Sequence, residues 1–408
     1  MRREACAVCE ATDLTPILDL GRSPLADSFP SSPDEREAYY DLDLLHCKRC
    51  GLVQLGEIVD DDLLFGRDYA FFTGSSPSLV ERYRHYAIDA MERYPEQAKQ
   101  GVVEIASNDG TLLGNFKAAG CPVLGIDPAL PPAEEANKKG IHTRIRPFSS
   151  REAREITEIS HGSHLGSKPG LIVANHVLAH VADQVDFMAG IKLLLAEDGI
   201  ALIEFQYFPD LFFGNEWDHV YHEHRTFFSL QPLVRLCQRV GMVVLDVRNS
   251  PAQGGSLQVV IGHEGCPVPA VNDLIAKESR LGLRDPEVYA GWQNRVEYSK
   301  LRLQEIVGGF VYEGKRVAGY GASAKSATLL NYCGFGPKDI GVIEDLTPRK
   351  QGLFTPGTHI PICEPPEVRP NAYLLLVWNY LAGVLWRERE FMDKGGKFIV
   401  PIPHPVIL

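Results

Sequence analysis

The sequence predicts an α/β protein with three parts: a small cysteine-rich lobe, a doubly wound parallel sheet, and a second, smaller α/β unit. The length of 408 residues exceeds what one hydrophobic core usually organises. Apolar runs alternate with helical stretches, and strands that are buried on both faces and separated by helices indicate a parallel sheet. The same alternation restarts near the end of the chain. We therefore expect three domains, at 1–76, 77–265 and 266–408.

The elements follow in order along the chain. Short extended pieces and turns occupy 1–65, and 77–97 predict a helix. The polar stretch 149–170 indicates a helix end and a surface loop. A helix near 231–240 precedes an antiparallel pair of strands at the sheet edge, and a long helix over about 285–312 leads to the last unit. The strand signals are VVEIA (102–106), VLGID (123–127), LIVAN (171–175), IALIEF (200–205), MVVLDV (242–247), SLQVVIG (256–262) and, in the last unit, KRVAGYG, GVIED, AYLLLVW and KFIVPIP.

Composition excludes several classes of protein. Hydrophobic residues make up 45% and charged residues 23%, as in ordinary globular proteins, and the net charge of −12 argues against broad binding to nucleic acid or anionic membrane. The chain starts without the apolar stretch of a signal peptide and has no run of the length of a membrane span. Nine cysteines in such a chain indicate a metal site plus free thiols in a reducing, cytoplasmic setting.

Two CxxC pairs predict a structural zinc site. They are Cys6–Cys9 and Cys47–Cys50, separated by a long spacer. A two-residue gap lets both thiolates of a pair face one ion, and two pairs supply the four tetrahedral ligands of a closed zinc site. Four thiolates leave no open position for catalysis. The alternative, which is coincidental or redox CxxC pairs, has less support.

The segment VVEIASNDGTLLGNF predicts a ligand crevice. An acidic strand residue is followed by a small polar turn that opens a helix, at the carboxyl edge of the sheet where doubly wound folds bind ligands. The turn is not GxGxxG, and Asp109 would repel a pyrophosphate, so the cationic, adenosine-bearing S-adenosylmethionine fits better. Acidic residues that merely cap helices are the alternative. The candidate cofactor-binding residues are Glu104, Ala106, Ser107, Asn108, Asp109, Gly110, Asp127 for the ribose hydroxyls, Asn175 and His176.

The densest run of ionisable and aromatic groups lies in 217–228. It follows IALIEF, so it begins at the same sheet edge as the crevice. Histidine titrates near neutrality, and a neighbouring acid and phenol can orient it or donate to an oxyanion. One histidine here would more often be structural, but the cluster predicts a catalytic segment. Its candidates are Tyr221, His222, Glu223 and His224.

A second glycine-containing turn opens the C-terminal unit. Gly319, Gly321 and Ser323 are expected to form a strand-to-helix turn with free N–H groups, and Lys325 adds a positive charge. This arrangement predicts a cradle for a diphosphate. Close packing of helix on strand explains the glycines almost equally well.

Taken in order, these motifs resemble the sugar C-methyltransferases of deoxysugar biosynthesis. The resemblance covers essentially the whole chain, and YHEH followed by GGSL and GYGASAK is its most specific part. It implies a zinc lobe, a Rossmann-like class I methyltransferase domain and a smaller Rossmann-like C-terminal domain that helps hold a nucleotide-sugar. The implied cofactors are S-adenosylmethionine and structural Zn²⁺.

By the same resemblance the substrate is a nucleoside-diphosphate-linked keto-sugar, typically dTDP-linked, and we expect no nucleic-acid or membrane partner and a monomer. His224 is implied as the general base, with Tyr221, Glu223 and His222 supporting it, and Tyr69 reaches the site from the end of the lobe. The chain departs from the family pattern at Phe71, Gln253 and Gln258.

Two rival functions stay open at this stage. Methylation of an oxygen or nitrogen of a small metabolite would need no enolate chemistry. A zinc-ribbon interaction module on a degenerate methyltransferase fold would bind no S-adenosylmethionine. The intact EIASNDG and YHEH segments favour the enzyme.

Overall fold

A computed structural model describes residues 1–64, 71–159, 165, 167–366 and 368–408. The strands are β1 Leu14–Ser23, β2 Tyr40–Cys47, β3 Val53–Leu55, β4 Val102–Ile105, β5 Val123–Ile126, β6 Thr143–Arg144, β7 Leu171–Asn175, β8 Ile200–Gln206, β9 Thr226–Phe227, β10 Val243–Ser250, β11 Ser256–Gly262, β12 Val317–Tyr320, β13 Ile343–Glu344, β14 Ile362–Cys363, β15 Ala372–Leu375, β16 Lys397–Val400 and β17 Val406–Ile407. The α-helices are α1 Asp61–Leu64, α2 Pro77–Arg93, α3 Pro95–Gln100, α4 Thr111–Ala118, α5 Leu130–Lys138, α6 Ser150–Ile159, α7 Gln184–Leu194, α8 Phe208–Phe213, α9 Leu230–Val240, α10 Pro269–Arg280, α11 Trp292–Tyr312, α12 Ala324–Cys333, α13 Leu381–Arg387 and α14 Arg389–Asp393.

The strands form three sheets, which confirms the α/β prediction. The central sheet has the order β10-β11-β8-β7-β4-β5-β6, with β11 antiparallel to both of its neighbours and the other adjacent pairs parallel. The last sheet has the order β14-β13-β12-β15-β16-β17 and is parallel except for β17. Parallel neighbours need helical crossovers, which cover the faces and make the strands apolar throughout.

The N-terminal sheet is antiparallel and has the order β1-β2-β3-β9. Its fourth strand, β9, comes from the segment that follows YHEH, far along the chain. The cysteine-rich lobe is therefore not a separate body, because its sheet is completed by the methyltransferase part. The sequence gives no sign of this pairing, since β9 has only two residues.

Helix boundaries differ from the sequence expectation where Pro and Gly intervene. The predicted helix 77–97 is divided into α2 and α3 at Pro95, whose ring has no N–H to continue the helix. The predicted helix 285–312 begins only at Trp292, because Gly291 adopts φ +81° at its N-cap, and Pro286–Tyr289 forms a short 3-10 turn. Within the polar stretch 149–170, Ser150–Ile159 is a full helix.

The lobe packs on both larger sheets. Cys6, Cys9 and Cys47 share one apolar cluster with residues of the central sheet such as Ile172 and Ile203. Residues from the other side of the lobe sheet, among them Leu44, belong to a second cluster with α11 and the C-terminal sheet. No helix in the described part of the chain combines the length and apolar character that a membrane span requires.

Candidate active site

The four predicted zinc ligands meet at one buried point. The Sγ atoms of Cys6, Cys9, Cys47 and Cys50 all lie within 4.8 Å of one another, with Cys6–Cys50 and Cys9–Cys47 at 3.5 Å. A tetrahedral site with Zn–S bonds of about 2.3 Å has sulfur–sulfur edges of about 3.8 Å, so the cluster fits Zn²⁺. The turns are as expected: Val8 N points at Cys6 Sγ at 3.4 Å, and Gly51 takes φ +82°.

The turn after β4 has the strained backbone of a ligand crevice. Ala106 and Asn108 adopt positive φ angles of 60° and 49°, and a Cβ on Gly110 would lie 3.1 Å from Ile141. Asp127, at the end of β5, accepts hydrogen bonds from Asn108 N at 2.7 Å and Ala129 N at 2.8 Å. Burial raises the pKa of Asp127 to about 6, although these two bonds oppose the shift.

Glu104 is buried at the base of this crevice beneath the turn. Burial, followed by the neighbouring Asp127 and Asp109, holds its pKa well above the usual range. Its Oε2 has no hydrogen-bond partner among the described residues. A buried carboxyl oxygen without a partner is costly, so Oε2 is suited to bind a polar group of a ligand. Ser107 lies beside it on the turn and is also buried.

The segment that leaves the lobe lies directly over the same turn. Asn108 Nδ2 donates to Phe71 O at 3.1 Å, and its Oδ1 accepts from Thr73 N at 2.8 Å. Asp109 accepts from Gly74 N at 3.0 Å and from Lys139 Nζ at 3.1 Å. Asp109 therefore has its own partners within the chain. Tyr69, the candidate from this segment, lies outside the described residues.

A second buried acid, Glu204 on β8, lies beside the crevice, and sequence reasoning did not single it out. Asn175 and His176 follow β7, and His176 Nε2 lies 3.2 Å from Glu204 Oε1. Arg82 forms an ion pair with the same carboxyl. Burial opposes ionisation of Glu204, but His176 and the charge of Arg82 hold its pKa below the usual value. An acid inside the apolar run IALIEF was the signal, as it was for Glu104.

A cleft of about 480 Å³ opens between α2, the loop from β10 to β11 and the C-terminal unit. Arg82, Glu204 and Tyr380 line it, and so do Gln253 and Gln258. The latter two are positions at which the chain departs from the family pattern. These two departures therefore line a ligand-sized cleft and do not lie on a remote surface.

His224 is held in one tautomer by its neighbours. Its Nδ1 lies 2.8 Å from His219 O, and since a carbonyl oxygen only accepts, Nδ1 carries the proton. Nε2 is then the unprotonated atom, and it lies 2.8 Å from the Tyr221 hydroxyl. Burial, reinforced by the nearby His180, holds the pKa of His224 well below its usual value. The imidazole is therefore neutral with its lone pair directed at Tyr221.

The other two candidates of this segment lie apart from Nε2. His222 turns towards the lobe, with its ring edge-on to Tyr40 at 5.7 Å between ring centres. Glu223 is buried, and burial together with the neighbouring Asp27 raises its pKa. His180, which the sequence did not single out, packs edge-on against His224 with ring centres 5.0 Å apart, and burial lowers its pKa to about 4.

In the C-terminal turn, the N–H groups of both predicted glycines have acceptors within the chain, and Gly319 N donates to Val342 O at 2.9 Å. Gly321 N donates to Glu344 O at 2.8 Å, and Ala322 N donates to Asp345 Oδ2 at 2.7 Å. A Cβ on Gly319 would lie 2.3 Å from Ile343 Cδ1, so this glycine is required for close packing. Ser323 caps α12 with extended backbone.

Lys325 is buried and faces the acids Glu216 and Asp218, which precede YHEH. Its Nζ donates to Asn379 Oδ1 at 2.6 Å and lies 4.6 Å from the centre of the Trp378 ring. Trp378 Nε1 in turn donates to Asp218 at 2.6 Å. Burial lowers the pKa of Lys325, and the charges of Asp218 and Glu216 oppose that shift. The C-terminal unit thus holds the stretch before YHEH through these contacts.

Three family models match consecutive parts of the chain: a zinc binding domain over 6–65, a methyltransferase domain over 79–247 and a C-methyltransferase C-terminal domain over 251–403. C-methyltransferase NovU of Streptomyces niveus is 34% identical over 413 residues, covering 99% of this chain and 97% of NovU. Solved structures match less well. Magnesium protoporphyrin IX methyltransferase of Synechocystis PCC 6803 has 12% identity and a TM-score of 0.32, covering 46% of this chain and 79% of that one.

A second structure, a methyltransferase of Clostridium acetobutylicum ATCC 824, has 13% identity and a TM-score of 0.36, covering 45% of this chain and 92% of that one. These low scores add nothing to the assignment. The Rossmann-like sheet with its crevice, joined to a four-cysteine lobe, defines an S-adenosylmethionine-dependent methyltransferase with a zinc site. The chain belongs to the C-methyltransferase family that includes NovU, so the predicted family, fold class and both cofactors are confirmed.

Proposed function

We propose that the enzyme methylates a carbon next to the ketone of a nucleoside-diphosphate-linked keto-deoxysugar, with dTDP as the carrier and His224 as the general base. One observation carries this proposal: the neutral His224 ring, whose basic Nε2 is turned towards a polar hydroxyl and not into solvent. Oxygen or nitrogen acceptors already hold a lone pair for the methyl group, whereas a carbon acceptor must first lose a proton. A buried, uncharged imidazole suits that extra step.

In this mechanism His224 Nε2 takes the proton from the carbon, and the electron pair of the C–H bond moves onto the ketone oxygen as an enolate. Bound S-adenosylmethionine supplies an electrophilic methyl group on a positively charged sulfur. The carbon forms its bond to that methyl group while the carbon–sulfur bond breaks and leaves its electron pair on sulfur. Because Nε2 has a single lone pair, the Tyr221 hydroxyl that donates to it must turn away before the proton is transferred, and it is then free to donate to the enolate oxygen.

The remaining candidates take roles around this centre. Glu104, Asp127, Asn175 and His176 border the cofactor crevice, where Asp127 would meet the ribose hydroxyls. Ser323 and Lys325 are proposed to assist the diphosphate, whereas Gly319 and Gly321, whose N–H groups already have acceptors, would serve the packing of the turn. Glu223, His222 and Tyr69 are proposed to support the base and the enolate. Gln253 and Gln258 in the adjoining cleft would then adapt it to a particular sugar or carrier.

The test is His224→Ala assayed against a panel of keto-sugar nucleotides with labelled cofactor. We expect kcat to fall by about 10²- to 10⁴-fold, because the substitution removes the base and leaves the cofactor crevice unchanged. His263→Ala is the matched control, since His263 only approaches the Leu195 carbonyl at 3.4 Å, and it should retain activity. Turnover of His224→Ala near that of the wild type would contradict the proposal.

Product NMR separates the proposal from its alternative. The proposal requires the new methyl group on carbon, and it requires exchange of the substrate C–H hydrogen with deuterated solvent when S-adenosylhomocysteine replaces the cofactor. A methyl group on oxygen or nitrogen, without such exchange, would establish the heteroatom alternative.

A further inference from the structure

Strand β9 joins the zinc lobe to the candidate base. Val53 pairs with Phe227 and Gln54 with Thr226 in antiparallel register. The ladder extends one residue further towards the base, because Leu55 N donates to Arg225 O at 3.0 Å. His224 is the next residue. The backbone that carries the imidazole is therefore the direct continuation of a strand in the lobe sheet.

Gln54 also holds the zinc site, through its side chain. It is fully buried, and its Oε1 accepts a hydrogen bond from Ala7 N at 2.9 Å. Its Nε2 donates to Ala5 O at 3.3 Å. Ala5 and Ala7 flank the ligand Cys6, so the Gln54 amide is hydrogen-bonded to the backbone on both sides of it. We call the loops that carry Cys6–Cys9 and Cys47–Cys50 the first and second knuckles. One residue therefore touches the zinc loop with its side chain and the catalytic strand with its backbone.

The second knuckle is fixed to the same strand. It forms the turn between β2 and β3, which is closed by the hydrogen bond from Cys47 N to Leu52 O at 2.8 Å. Both knuckles are therefore connected to β3, the first through the Gln54 side chain and the second through the chain itself. When the four sulfurs are held at one ion, the path of β3 is set, and β9 follows it.

The opposite side of β9 is fixed by the methyltransferase part. Arg225 N donates to Ala179 O at 2.7 Å, and Gln184 Nε2 lies 3.2 Å from the Thr226 hydroxyl. The segment that includes Ala179 carries His180, whose ring packs against His224. The base thus lies between a lobe strand on one side and its own domain on the other.

We propose that Gln54 is a positioning residue that couples the zinc site to His224, so that zinc occupancy sets the geometry of the base. The inference rests on the proposed role of His224 for its catalytic consequence only. The structural coupling stands apart from that role, because it is carried by the pairing of β3 with β9. The zinc ion then does more than stabilise the lobe.

The first experiment compares Gln54→Leu with Gln293→Leu. Gln293, on α11, grips the same lobe in the same manner, since its Oε1 accepts from Asp19 N at 2.8 Å and its Nε2 donates to Asp19 O at 3.0 Å. Asp19 is on β1, away from both the knuckles and β9. The two variants therefore remove the same pair of side-chain-to-backbone bonds, although Gln54 is fully buried and Gln293 only partly so, and only Gln54 lies on the proposed route.

For Gln54→Leu we expect kcat to fall by about 10- to 100-fold, the scale of a base misplaced by about 1 Å, with KM and the calorimetric affinity for S-adenosylmethionine within about twofold of the wild type. Gln293→Leu should keep all three within about twofold. Equal kcat in the two variants, or a loss of cofactor affinity in Gln54→Leu as large as its loss of kcat, would overturn the proposal.

The second experiment needs no turnover and no Gln54 variant. Zinc is removed from the full-length protein with a chelator, its release is measured with a colorimetric indicator, and amide hydrogen exchange is followed by mass spectrometry. We expect faster exchange in 1–57 and also in 219–230, with little change in 102–118 of the cofactor crevice. Faster exchange confined to 1–57 would overturn the coupling. If His224→Ala stayed active while 219–230 loosened on zinc loss, the proposed function would fail and the coupling would stand.

Discussion

At the scale of single residues, two contacts decide which ring nitrogen of His224 carries the proton, and neither contact can be inferred from the residue type alone. The His219 carbonyl fixes the proton on Nδ1, and the Tyr221 hydroxyl occupies the Nε2 side. His222, two residues earlier, lies against Tyr40 of the lobe. Two neighbouring histidines of one motif thus have different environments, and it is His224 that has a hydroxyl oxygen 2.8 Å from a ring nitrogen.

The pH dependence of turnover follows from the environment of His224. Its pKa lies well below the usual value because burial penalises the charged ring, so this proposed base stays unprotonated as the pH falls to 6.5. We expect kcat to be constant from about pH 8 down to pH 6.5 and to decline only below it. The measurement is a profile of kcat against pH at saturating substrate, which reports groups of the bound complex. An acid limb with its midpoint at or above pH 6.5 would contradict this assignment.

At the scale of elements, helices α9 and α10 are tied together by one buried carboxyl. Glu278 accepts hydrogen bonds from Leu230 N at 2.6 Å and Gln231 N at 2.9 Å, at the first turn of α9. The Tyr207 hydroxyl donates to it at 2.8 Å. The two backbone donors, Leu230 N and Gln231 N, lie at the N-terminus of α9, where backbone N–H groups have no partner within the helix. Glu278 replaces the capping side chain that Ser229 does not supply.

Replacing Glu278 by Leu should therefore cost about 3 kcal/mol of the free energy of unfolding, since two buried donors and one partly buried donor lose their acceptor. The measurement is denaturant unfolding monitored by circular dichroism. Asp273→Leu serves as the control, because Asp273 is an exposed acid on the same helix and its loss should change the stability by less than about 0.5 kcal/mol. Equal stabilities of the two variants would show that the carboxyl is not a capping group.

The elements also show how far pattern reasoning reaches. Strands β7 and β11 lie where their apolar runs predict them. A strand that is buried on both faces has apolar side chains at consecutive positions, and such a run is visible in the sequence. The predicted antiparallel pair at the sheet edge is confirmed, and the structure adds that β10 is the edge strand and that β11 pairs with β8. Strand order depends on which neighbours pair, and local sequence does not contain that information.

At the scale of the whole molecule, burial of titratable groups links stability to pH. His219 is almost completely buried, and burial, followed by the charges of Lys325 and His224, holds its pKa well below the usual value. The unfolded chain exposes this ring and protonates it near pH 6.5, whereas the folded chain does not. Its contribution is therefore fully present above pH 6.5 and is lost as the pH falls from there towards the lower folded-state pKa.

Comparison with His219→Gln isolates this contribution from that of the buried acids. As the pH falls below 6.5, the free energy of unfolding of the wild type should decrease relative to that of the variant, by about 1.4 kcal/mol per pH unit for one proton. The measurement is urea unfolding of both proteins between pH 7.5 and pH 5. A difference between the two proteins that does not change with pH would mean that His219 has the same pKa in the folded and unfolded states, which would contradict this assignment.

The sequence by itself determined the four zinc ligands, the buried strands, the crevice turn and the candidate catalytic segment, because each of these shows in the spacing or periodicity of a few neighbouring residues. Only the tertiary structure decided which nitrogen of His224 is basic, that His222 turns to the lobe, that Glu204 joins the crevice with Arg82, and that Gln54 connects the zinc loop to β9. These depend on contacts between residues far apart in the chain. The orientation of a side chain is set by whichever partners packing brings within reach, and no local pattern records them.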